Sequence, residues 1–84
     1  MAGGRKETVS DDEILSLFVE TDDPVLTTSE VADVLDFSLN GTRKRLDSLE
    51  ANGLLAVKRA GRGKIWWLTD EGREFIKNAS ENGE

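Results

Sequence analysis

Three residues, Asp36-Phe37-Ser38, separate two stretches of helical periodicity, and this short link constrains the fold more than anything else in the chain. Before it, Val31, Ala32 and Leu35 recur at helical spacing behind "TTSE", where Thr27 and Glu30 can form a capping box; this predicts a helix over 28–35. After it, Ser38 suits an N-cap, and Leu39, Thr42, Leu46 and Leu49 fall on one stripe of a helix over 39–52. Gly53 suits the left-handed position that closes such a helix. A short helix and a longer one joined by so few residues must cross rather than run on.

The flanks agree with a single small domain. "SDDE" gives a capping box from Ser10 to Glu13, and Ile14, Leu15, Phe18 and Val19 follow at helical spacing, so a helix is predicted over 11–20. "TDDP" stops it at Pro24, and Val25-Leu26 suits a very short strand. Beyond Gly53 the period changes. "LLAVKR" and "KIWWLT" are strand-like runs joined by "AGRG", which predicts a hairpin, basic on both arms and at its tip. Strand alternation places Trp66 with Leu68 on the core face and Trp67 on the other, over the hairpin or at a partner interface. Thr69 then caps a last helix over 70–79, with Phe75 and Ile76 toward the core. Residues 1–9 read as a flexible N-terminal tail, 10–79 as the domain and 80–84 as a frayed C-terminal tail.

Charge narrows the function. The 84 residues carry a formal net charge of −6, yet residues 38–68 hold seven of the eleven basic residues against only Asp47 and Glu50. An anionic partner feels that local field rather than the bulk charge. There is no histidine and no cysteine, so thiolate chemistry and most zinc chemistry are excluded. With no tyrosine and no phosphate-binding glycine loop, neither an enzyme nor a cofactor is expected. No apolar run reaches the roughly 20 residues of a membrane span, and the N-terminus lacks the apolar stretch of a signal peptide; a cytoplasmic protein that touches no membrane is expected.

Residues 10–79 resemble the winged helix-turn-helix domain of prokaryotic transcriptional regulators. "TSEVADVL" matches the second helix, "SLNGTRKRLDSLEANGLL" the recognition helix and its exit, and "WLTDEG" the close of the wing. The spacing of "RLDSLEANGLL" to "LTDEG" is the specific part. The family often has Gly where this chain has Asp36, a residue that still tolerates the left-handed turn. The acidic bias resembles proteins of salt-loving archaea, among them short phage-repressor-like regulators. The resemblance implies an α+β, mainly helical fold: a three-helix core, a two-stranded β-hairpin wing and a C-terminal helix. It also implies sequence-specific binding of double-stranded DNA, as a repressor or other regulator.

For such a fold, residues at the start of the recognition helix reach base edges in the major groove: Leu39, Asn40, Gly41, Arg43 and Lys44. Asn40 suits adenine and Arg43 or Lys44 guanine, although Asn40 also fits as an ordinary polar residue of a first helical turn. Arg45 lies to the side, toward a phosphate. Ser29 and Ser38 stand at helix starts, where hydroxyls and free amides hold phosphate. Arg62 suits the minor groove, with Lys58, Arg59 and Lys64 on the flanking backbone. Gly41 is either a tolerated helix defect or a point of close approach to DNA. A homodimer is expected, joined through the first helix, the last helix or Trp67. No small-molecule effector is evident. The competing reading is a winged helix that binds proteins and not DNA.

Overall fold

A computed structural model describes residues 9–21 and 25–82. Helices α1 (Asp11–Glu20), α2 (Thr28–Leu35) and α3 (Leu39–Ala51) form the core, with β1 (Leu26–Thr27) between α1 and α2. Strands β2 (Leu55–Ala60) and β3 (Gly63–Leu68) form the wing, and α4 (Asp70–Asn82) follows. The sheet is antiparallel with order β1-β3-β2, so the short β1 joins the wing as a third strand. This is the mainly helical α+β architecture of a winged helix.

Caps set the helix boundaries. The Ser10–Glu13 and Thr27–Glu30 capping boxes are both formed, each pairing an N-cap hydroxyl with a backbone amide and a glutamate with the N-cap amide. Two helices end in the same way. At α2, Asp36 takes the left-handed conformation with φ 56°, its N–H donates to the Asp33 carbonyl and that of Phe37 to Ala32. At α3, Gly53 has φ 81°, its N–H donates to the Glu50 carbonyl and that of Leu54 to Leu49. Both are Schellman closures, and each turns the chain sharply back toward the core. Asp36 therefore does the work of the glycine common at that turn. The proposed stop at Pro24, like residues 1–8 of the N-terminal tail, lies outside the described residues; the capping residue at the end of α1 is Thr21.

The core joins all layers: Ile14, Leu15 and Phe18 of α1, Val31 and Leu35 of α2, Leu46 and Leu49 of α3, and Leu26, Leu55, Trp66 and Leu68 of the sheet. Val9 is buried with them and so belongs to the domain rather than to the tail. The last helix runs to Asn82, past the boundary set at residue 79, because the sequence holds no stop signal there. Two apolar assignments fail. Val19 is 49% and Phe75 40% exposed, so α1 presents only Ile14, Leu15 and Phe18 as buried residues, and on α4 it is Ile76 that packs against the core.

The joint between α3 and α4 explains the "LTDEG" pattern. The Thr69 hydroxyl donates to the Gly53 carbonyl and accepts from the Gly72 amide, while the Thr69 amide donates to the carbonyl of Leu54. Gly72 lies so close that a Cβ there would sit 2.2 Å from the Leu54 carbonyl oxygen. We predict that Gly72→Ala lowers stability by about 2 kcal/mol, as overpacking against backbone does, read as a lower urea midpoint. Thr42 is fully buried on α3 as expected, but its hydroxyl has no hydrogen-bond partner. Thr42→Val should therefore raise stability by about 1 kcal/mol in the same measurement.

Candidate nucleic-acid interface

The residues at the start of α3 project from a helix whose other face is locked into the core by Thr42, Leu46 and Leu49. Ser38 caps it, its hydroxyl accepting from the Gly41 amide at 3.0 Å. Asn40, Arg43 and Lys44 are exposed. Leu39, assigned to the inward stripe by periodicity, is 43% exposed, because the first helical residue lies ahead of the neighbours that would cover it. It is an apolar member of the candidate surface.

The wing is held beside this helix end. Ala60 pairs with Gly63, leaving Gly61 and Arg62 as a two-residue turn, with positive φ at Gly61 alone, the pattern of a type II′ hairpin. Arg62 is thus presented at the tip. At the base, Trp66 is fully buried and its indole N–H donates to the Thr28 hydroxyl, at the first residue of α2, at 2.9 Å. Lys64 reaches Asp47 of α3 at 4.0 Å and lies 5.9 Å from the Trp66 ring centre.

The result is one cleft lined by Thr27, Thr28 and Ser29 at the start of α2, Leu39 and Arg43 of α3, and Arg62, Gly63 and Lys64 of the wing. Three separate elements thus bring cations and hydroxyls together around an open space. Arg59 and Lys64 face each other across the wing, a like-charge pairing that costs local stability. Lys58 pairs with Ile65 and points from the opposite face of the sheet, away from Arg59.

Two residues of the expected set also make contacts within the chain. Arg45 flanks the buried stripe on the side of α1, where its guanidinium donates to the Asp11 carboxylate and the Val9 carbonyl. These charge-assisted bonds make it a clasp on the N-terminal segment. At Gly41 an added Cβ would lie 2.7 Å from the Phe37 ring and 2.8 Å from the Ser38 hydroxyl. The glycine thus lies close to the connector of its own chain, a contact that neither reading of the sequence named. Sequence periodicity reports which face of a helix is apolar. It cannot report that a connector ring folds back over the first turn.

No known family model matches the chain, and no curated protein is similar to it. Solved structures are. A MarR family transcriptional regulator from Streptomyces coelicolor superposes with TM-score 0.76 at 27% identity, over 84% of this chain and 50% of that one. The transcriptional repressor CouR, bound to a 23-mer DNA duplex, gives TM-score 0.74 at 29% identity, over 83% and 50%. A mutant of ZitR from Lactococcus lactis gives 0.70 at 25%, over 86% and 49%. The chain thus spans about half the length of the solved structures it resembles.

Gly41→Ala should lower stability by about 1 kcal/mol, since crowding of the Phe37 ring and the cap outweighs the gain in helix propensity. Chemical denaturation of the purified protein reads the sign directly. Arg45→Ala should cost a similar amount, about 1 kcal/mol for its bonds to Val9 and Asp11, and lose part of that difference at high salt.

Proposed function

We propose that this protein binds double-stranded DNA in a sequence-specific manner and acts as a transcriptional regulator. The convergence of Ser29, Leu39, Arg43, Arg62 and Lys64 on one cleft carries the reading. In this arrangement α3 enters the major groove. Asn40, Arg43 and Lys44 meet base edges, and Leu39 makes an apolar contact such as a thymine methyl accepts. Ser29 and Ser38, at the starts of α2 and α3, hold phosphates, and Arg62 enters the neighbouring minor groove. Arg59 and Lys64 add positive charge along the wing, Lys58 from its other face.

The likeness to CouR, a repressor in complex with DNA, supports repression as the mode of regulation. A homodimer fits the proposal, because two recognition helices about one helical turn apart read a palindromic site. Exposed Val19 on α1 and Phe75 on α4, two helices that pack together, supply apolar surface for it. The acidic remainder of the chain is the surface a salt-rich archaeal interior favours, and it repels phosphate, so the duplex is met in one orientation.

Titration of a cognate duplex, chosen by selection from random sequence, tests the proposal. Affinity should fall linearly on a log–log plot against salt; Arg43→Ala should weaken binding by about 1–3 kcal/mol and relax specificity at the base it reads, and Arg59→Ala, on the flanking backbone, should reduce the slope by about one counterion. Salt-independent binding, or variants that bind as wild type, would overturn it. For the dimer, Phe75→Asp should move the protein toward the monomer in light scattering.

A further inference from the structure

A second concave surface lies between α1 and α2 and shares no residue with the basic cleft. Its lining is Asp12, Glu13, Leu17 and Glu20 from α1 with Val34 and Leu35 from α2, and the hydroxyls of Ser10 and Ser16 complete it. The floor is apolar. Leu17 is half-buried, and Val34 is 64% exposed near the C-terminal end of a helix whose other apolar residues are buried. Nothing in the described fold covers Val34. The rim is acidic at both ends and holds no lysine or arginine. That is part of a wider asymmetry, since the chain has no basic residue between Lys6 and Arg43.

We propose that this groove is a docking site for a segment of another protein, a basic amphipathic helix with one apolar anchor. The charge pattern selects the occupant. DNA is excluded by the carboxylates, and a second copy of this face would set acid against acid. Asp12 and Glu20 are eight residues apart on α1, about 12 Å at the helical rise of 1.5 Å per residue. A partner helix with an arginine one turn before and one turn after a central leucine matches that distance. Its leucine would lie on Leu17 and Val34, and its cations on Asp12 and Glu20. Because the basic cleft remains free, the segment and a duplex could be held at the same time, which would give a DNA-bound protein a means of recruiting a second one. The inference does not depend on the DNA-binding reading.

The probe is a fluorescently labelled helical peptide of about 15 residues with that Arg–Leu–Arg spacing, titrated with the whole chain and read by anisotropy. Wild type and Arg62→Ala should bind alike, and binding should weaken with salt. Val34→Asp should weaken binding about tenfold or more, and a peptide with Ser for the central Leu should do the same. Glu20→Lys, on the exposed rim, should weaken it about threefold by charge reversal. Circular dichroism checks that both variants are folded; if one is not, the other carries the test. The proposal falls if the peptide fails to bind at about 1 mM, or if the folded variants bind as tightly as wild type. It also falls if light scattering without peptide shows a dimer that Val34→Asp dissociates, since the groove would then hold a second copy.

Discussion

The structure hangs on Trp66. Its ring is fully buried, its neighbours across the sheet are Leu26 of β1 and Val57 of β2, and its indole N–H is satisfied by Thr28 at the start of α2. A buried indole needs such a partner, since an unpaired polar group in the core costs more than the hydrogen bond returns. This one contact therefore fixes the wing relative to the helix that precedes the recognition helix. The alternative for a two-stranded ribbon is to move on its own, since an isolated hairpin is only marginally stable in water. With Trp66 in place, Arg62 at the tip and Arg43 on α3 line the same cleft.

Much of this was legible in the sequence because short-range rules carried it. The two capping boxes, the Ser38 cap and Gly53 each satisfy backbone groups within four residues, so the starts of α1 and α2 and both ends of α3 follow from local chemistry alone. Trp66 was placed by strand alternation, and the buried position of Thr42 by helical periodicity. What escaped depends on contacts far apart in the chain. Arg45 looked like a side-lying cation aimed at a phosphate, and only the packing of α1 against it shows that it is bound to Val9 and Asp11. Val9 looked like tail for the same reason. Gly41 is a nearer case: the Phe37 ring beside it, four residues back, comes from a connector whose path depends on the left-handed turn at Asp36, which periodicity does not report.

Charge divides the molecule. The cleft between the start of α2, α3 and the wing is lined by Arg43, Arg62 and Lys64 and by no carboxylate, whereas the groove between α1 and α2 is lined by Asp12, Glu13 and Glu20 and by no cation. The cross-strand facing of Arg59 and Lys64 is a local cost with no return inside the fold beyond the contact of Lys64 with Asp47 and Trp66. Such costs are common where a surface is shaped by a partner rather than by stability.

The central claim is spatial: α2, α3 and the wing form one face, proposed to meet DNA. Backbone amide shifts of isotope-labelled protein, followed as duplex DNA is added, test it most directly. The account predicts perturbations at Thr28 and Ser29, along 39–44 and along 61–64, with α1 and the far end of α2 at Val34 unchanged. Perturbations centred on α1 and Val34, or none at the wing tip, would contradict it.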